Sequence, residues 1–387
     1  MVQADRWAMP AFLPLMARDF GKTVPSLGVI VVAYLLPYGL LQLVYGPVAD
    51  RFGERRVIET ACGLMSAGIL LSALAPSFGL LVLARGITGV GAAGVPPLGI
   101  SLLNDLVPRL QRARSLSRYM SISFMGQLLS MLVGATVAGI VGWRPVLFAY
   151  GLLSFVTLLD LYRSLAVARG IEAPGHRHGF LWSYSELLRS PGARTLFPAI
   201  ALEGFLINGL FSFLGGFFSE EIGLSSLNIA LILSMFGIAA VAIGPLTKFL
   251  WSTLPLGRST AAAALIGAAA AALYLFPPSS ALVNLPATFL LGFSFILGHN
   301  AFLSAAGNMG RGARSTSMAM VALCFMGGGA LGVQAASWII SHWSYRVLFA
   351  VWSVATLASA LGYMKTLDQD PRMEATPGVA GGTDDPG

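Results

Sequence analysis

GPVADRFGERR, residues Gly46–Arg56, places Asp50, Arg51, Glu54, Arg55 and Arg56 between two long apolar runs. Such a knot of charge cannot lie in hydrocarbon, so it must be a turn at the membrane surface that separates two spans. Its glycines suit a tight turn, because glycine reaches backbone angles closed to other residues. Gly46 is expected to permit close helix contact, and Gly53 to supply the unusual turn angles.

The rest of the chain repeats this alternation. Of 387 residues, 56% are hydrophobic and 11% charged, whereas a soluble domain carries about 25% charged residues. Apolar stretches long enough to cross a core of roughly 30 Å recur throughout. Forty-five glycines suit helices that must approach closely in lipid. A soluble enzyme is excluded. So is a nucleic-acid binder, since the net charge of +7 comes from cations in short loops between spans. Cys62 and Cys324 fall in separate apolar runs and read as packed free thiols. MVQADRW has no basic region followed by an apolar core, so no cleavable signal peptide is expected.

The punctuation predicts an all-α membrane protein with twelve spans. Six lie at 1–18, 25–49, 57–76, 78–104, 115–141 and 146–167. Six more lie at 195–219, 226–250, 259–276, 281–304, 314–340 and 346–365. Residues 1–167 form one six-helix bundle and 194–365 the other, with 168–193 a polar linker holding at most a short surface helix. The tail 366–387 reads as disordered. The first span is short, with Asp5 and Arg6 almost at its start, and the expectation is that residues precede Met1.

Lysines and arginines fall overwhelmingly on one side, leaving only Arg18, Lys22, Arg144 and Arg346 opposite. The positive-inside rule then puts both termini in the cytoplasm. The halves echo each other. WRPVLFA (143–149) returns as YRVLFA (345–350), and GPVAD (46–50) as GPLTK (244–248), each about 200 residues apart. Two matches at nearly one offset predict a duplicated, pseudo-symmetric 6+6 bundle.

With these residues in view, the chain resembles the major facilitator superfamily over essentially its whole length, and within it the bacterial proton antiporters of drugs and small molecules. Gly46, Asp50, Arg51, Gly53, Arg55 and Arg56 match the loop after that family's second span. Arg85, Gly89 and Gly91 match its fourth span, with Thr88 where glutamine is usual. Gly134 and Gly139 match the fifth-span pattern of exporters, with Ala135 where proline is expected and Ala138 where glycine is, so the small-residue face is kept and the proline is not. The resemblance implies alternating access around a central cavity, and a gate in which Asp50 latches the halves together. It implies proton-coupled efflux of drug-like or amphipathic compounds from the inner membrane, by a monomer without cofactor or metal. Uptake of a metabolite is the alternative, and a non-transporting receptor or scaffold on the same fold is the reading from another class.

Polar residues inside spans are functional candidates by default. Arg85 should face a water-filled cavity or an anionic partner. Glu203 and Asp5 are candidate proton carriers, since a carboxylate held among helices can take up and release a proton. His299 and Asn300 are adjacent in the tenth span, and histidine is the residue type suited to proton exchange at neutral pH, although a lone histidine is more often structural. Asn208 follows Glu203 on the same span by about one and a half turns, and Gln127, Gln334, Tyr34 and Gln42 could line a cavity, although helix–helix hydrogen bonds account for such residues equally well. Phe211, Phe213, Phe217 and Phe218 form either a substrate surface or a lipid-facing patch. Gly21-Lys22-Thr23 imitates the end of a P-loop, but Met16 stands where that motif needs glycine.

Overall fold

The computed structural model describes residues 1–167, 180–190, 192–253, 255–276, 281–309 and 314–367, and these contain helices and no strand. The expected tail beyond Leu367 and the first part of the linker, 168–179, lie outside them. In chain order the helices are α1 (Val2–Phe20), α2 (Gly28–Phe52), α3 (Glu54–Leu74) and α4 (Phe78–Leu106). Next come α5 (Arg109–Leu129), a π-helical turn (Ser130–Gly134), α6 (Ala135–Val141) and α7 (Trp143–Val167). The second set follows the short linker helix α8 (Phe180–Arg189): α9 (Ala193–Glu220), α10 (Ser226–Thr253), α11 (Leu256–Leu273), α12 (Ala281–Asn308), α13 (Arg314–His342) and α14 (Tyr345–Leu367).

Ten helices among the described residues are long and apolar enough to cross a bilayer. Asp5, Arg6, Arg18 and Asp19 keep α1 below that mark, and the described apolar run of α10 is short, Ser226–Ala242. The twelve-span expectation is therefore met only in part.

Packing repeats between the two sets. The pairs α3/α4, α2/α4 and α3/α7 correspond in order to α11/α12, α10/α12 and α11/α14. The quoted echo has a structural counterpart. Trp143 begins α7 and its Nε1 donates to Asp19 at the end of α1, 2.9 Å away. Tyr345 begins α14 and its hydroxyl donates to Glu220 at the end of α9, 2.7 Å away.

Between the sets, α1 meets α9, α2 meets α13, and α5 and α6 meet α10. A Cβ on Gly139 would sit 2.3 Å from the Ser226 Cβ, and one on Gly215 only 1.9 Å from the Pro10 carbonyl oxygen. Only glycine allows these approaches. Ser337 Oγ of α13 also donates to the Pro25 carbonyl, just before α2. These contacts gather toward the end of the bundle opposite Gly53.

The expected proline of the fifth span is absent, yet the α-helical ladder still breaks where Gly134 closes the π turn. Such turns shift helix register without proline. The Gly21-Lys22-Thr23 imitation resolves into a helix stop, with Gly21 left-handed at φ 60° and Lys22 N–H closing on the Ala17 carbonyl.

Two expectations need correction. Gly46 has nothing within 4 Å of a built Cβ, so it mediates no close helix contact. Close approach falls instead to glycines inside the bundle, such as Gly89 against the Tyr34 backbone. Phe211, Phe213, Phe217 and Phe218 are all buried and do not face lipid. Phe217 packs edge-on against Phe349, and Phe211 lies 4.4 Å from Phe236. The large apolar surface of α9 is used inside the protein.

Candidate transport site between the helix sets

Asp5 and Arg6 are neighbours on α1, and successive helical residues point about 100° apart. They therefore serve different faces. Asp5 turns into its own helix set, where Arg85 Nη1 of α4 donates to its Oδ1 at 2.7 Å. Both side chains are 1% exposed, so the pair is sealed. The Arg85 guanidinium also lies over the Tyr34 ring, 4.8 Å from its centroid. A lone arginine at the centre of a span costs about 2.5–3.5 kcal/mol on translocon scales, and a carboxylate partner offsets that cost.

Arg6 turns the other way. Its Nη2 donates to Asn208 Oδ1 on α9 across 2.9 Å, joining the two helix sets. Asn208 in turn donates to the Gly204 carbonyl, which fixes its amide. Arg6 also lies over Trp7 and Phe325, with centroid distances of 4.8 and 5.4 Å. A cleft of about 20 Å³ opens here, lined by Arg6, Trp7, Tyr34, Arg85, Asn208 and Phe211 among others.

The second set holds its own carboxylate pair. Glu203 Oε2 of α9 lies 2.9 Å from His299 Nδ1 of α12. With glutamate ionised, the Nδ1–H donates to it. The imidazole is stacked on Phe295 at 5.0 Å and packs on Phe325 at 4.6 Å. Glu203 borders a second cavity of about 60 Å³ within α9, α11, α12 and α14, with Thr260, Ser294 and Trp352 on its wall.

The remaining candidates are scattered. Asn300 is half-buried beside His299, and Gln127 is buried on α5 with its amide nitrogen unpartnered. Gln334 is exposed on α13, apart from both pairs. In the opening loop, Asp50 and Arg51 are exposed, and Asp50 forms no ion pair or hydrogen bond among the described residues. Arg55 bonds Glu59 at 2.8 Å, one turn along α3. Gly53 has φ +88°, the unusual turn angle expected of it. No group of three metal-binding side chains occurs among the described residues.

Tyr34 lines the cleft, as its place in an apolar span allowed, whereas Arg6 was not singled out by the sequence. The available signal was an arginine beside an aspartate in one apolar run, two charges that could not share one partner. The aromatic wall had weaker cues, because Trp7 and Phe325 lie more than 300 residues apart and meet only in the folded chain.

Comparison with known proteins agrees with this architecture. The chain is 33% identical over 162 residues to the puromycin resistance protein of Streptomyces alboniger, covering 41% of this chain and 32% of that one. It is 29% identical over 196 residues to multidrug resistance protein D of Escherichia coli, covering 50% and 49%. The chain thus spans a third to a half of the length of these relatives. A D-xylose–proton symporter crystal structure superposes over 96% of this chain and 97% of its own, with a TM-score of 0.74 and 15% identity, a likeness of fold alone. The Major Facilitator Superfamily profile matches residues 1–333, and this chain belongs to that superfamily.

Proposed function

We propose that the chain is a proton-coupled transporter that exports drug-like or amphipathic compounds across the cytoplasmic membrane, working as a monomer with both termini in the cytoplasm. The observation that carries this reading is the sealed Asp5–Arg85 pair at the cleft between the helix sets. A proton arriving on Asp5 cancels its charge and frees Arg85. The ionisable groups facing Asp5 are Arg85, Tyr34, Tyr150 and the Met1 amino group, and of these Arg85 and Tyr34 line the cleft, so protonation leaves the Arg85 guanidinium there without its counter-charge. Proton binding and the arrangement of the helices are then linked. Glu203, bonded to His299, is the second proton carrier.

The energy is sufficient. One proton moving through 100 mV releases about 2.3 kcal/mol, and each pH unit adds about 1.4. A hundredfold solute gradient needs about 2.8 kcal/mol. The names of the two resistance-protein relatives support export.

In this reading the halves are joined at the end opposite Gly53, and the Gly46–Arg56 loop stands clear with Asp50 unlatched. Asp50 engages when the other end closes, where the charge and helix-end dipoles of the partner half hold it. Arg51, Arg55 and Arg56 keep the loop on the cytoplasmic side.

The test is flux in proteoliposomes with an imposed pH gradient, across a panel of amphipathic anions, neutral compounds and cations. Accumulation that follows the gradient is expected. Saturable flux indifferent to it would remove proton coupling and leave facilitated transport.

A further inference from the structure

The cleft between the helix sets contains more positive charge and more donor capacity than the protein uses. Arg85 is fully buried and gives Nη1 to Asp5, while its Nε and Nη2 have no partner. The Tyr34 hydroxyl, also buried, has none either. Arg6 is half-buried, and its one hydrogen bond goes to the neutral amide of Asn208. No carboxylate pairs with Arg6 among the described residues. Two guanidiniums against one carboxylate leave a single uncompensated positive charge. Asp5 Oδ2 is also without a partner, and buried polar groups that the chain leaves unpaired call for water, an ion or a ligand.

The wall beside these donors is aromatic. Trp7 meets Phe211 at 5.3 Å and Phe236 at 4.9 Å, and the Arg6 guanidinium also lies over the Phe325 ring. Rings of this kind accept a flat apolar body while a charged head engages the guanidinium.

We infer that this cleft recognises an amphipathic organic monoanion. The carboxylate, sulfonate or phosphate head pairs with Arg6 and with the free donors of Arg85 and Tyr34, and the apolar body rests on Trp7 and Phe325. This deepens the transporter reading and rests on it. In the present arrangement the cleft holds little more than one water, at about 20 Å³. Asn208 Oδ1 takes the acceptor place at Arg6 that a ligand oxygen would fill. Separation of α1 from α9 breaks that bond and opens the site, so ligand and Asn208 compete for one donor.

The experiment compares three probes of matched shape, 2-naphthoate, 2-naphthamide and 2-naphthylmethylammonium, binding to the purified full chain. Naphthoate is expected to bind at least about tenfold more tightly than either of the others, as a charge-assisted bidentate contact requires. Arg6→Gln should abolish that preference, and Arg6→Lys should keep part of it, with helicity and monodispersity unchanged in both. Equal or tighter binding of the amide or the ammonium compound overturns the inference. So does absence of naphthoate binding, or a preference that persists in Arg6→Gln. Flux of naphthoate into proteoliposomes separates the two levels. Binding without flux refutes the transport reading and leaves the anion site, whereas gradient-driven flux that favours the cation refutes the anion site and leaves transport.

Discussion

Asp5 and Glu203 lie at nearly the same distance from the C-terminal ends of α1 and α9, and each reaches the fourth membrane helix of its own set. Asp5 meets Arg85 of α4 at 2.7 Å, and Glu203 meets His299 of α12 at 2.9 Å. The duplication read from WRPVLFA and YRVLFA therefore extends to the ionisable centre of each half. The partners differ in kind. Arginine stays charged at any physiological pH, while histidine can lose its proton. One pair has a fixed cation, the Arg85 guanidinium, and the other an imidazole, that of His299.

The first prediction concerns the fixed pair. Asp5→Asn keeps the shape but removes the charge, so pH-gradient-driven flux should fall at least about tenfold while substrate exchange without a gradient persists. Arg85→Ala should be worse, because it leaves a buried carboxylate without its partner, at a cost of about 3–5 kcal/mol. Thermal unfolding of the purified variants would show that ordering. Normal coupled flux in Asp5→Asn would remove Asp5 as the carrier.

The second pair predicts a change in stoichiometry. If Glu203 carries its own proton, Glu203→Gln should lower the number of protons moved per substrate by one. Reversal-potential measurements in proteoliposomes read that number directly. An unchanged ratio in Glu203→Gln would make the Glu203–His299 bond purely structural.

Glycine packing gives a test of the closed end. Gly139→Leu introduces atoms where a Cβ already meets Ser226 at 2.3 Å, so α6 and α10 cannot stay together. Cysteines introduced beyond Gly142 and Gly223 should become markedly more reactive toward a membrane-impermeant thiol reagent in that variant. Unchanged labelling would mean that the helices adjust without separating.

The opening loop separates its two glycines. Gly53→Ala forces a side chain onto a backbone at φ +88° and should cost about 1–3 kcal/mol of stability. Gly46→Ala meets open space and should change stability by less than about 0.5 kcal/mol. Equal melting temperatures for the two variants would contradict the turn geometry.

Asp50→Asn tests the latch. It should leave stability unchanged, since Asp50 is exposed, and bias the protein toward the arrangement in which α1 meets α9. Distance measurements between spin labels on α2 and α13 would detect that shift, and unchanged populations would reduce the loop to a determinant of topology.

The sequence by itself determined the membrane class, the family and the turn at Gly53. These follow from local patterns: apolar length, the charge between spans, and glycine where the backbone demands it. It also marked Asp5, Arg85, Glu203 and His299, because a charge within an apolar run is conspicuous wherever its partner lies. It did not determine which of them meet. Arg85 and Asp5 are 80 residues apart, and Glu203 and His299 are 96 apart. Their pairing depends on how α1 packs against α4 and α9 against α12. The packing role expected of Gly46 is not found, because a glycine before a charged turn looks the same whether its neighbour is a helix or open space. Only the tertiary structure turned the four phenylalanines of α9 inward and Arg6 toward Asn208. The physical reason is rotational: adjacent residues on a helix face different neighbours, and the identity of those neighbours is a property of the packed bundle alone.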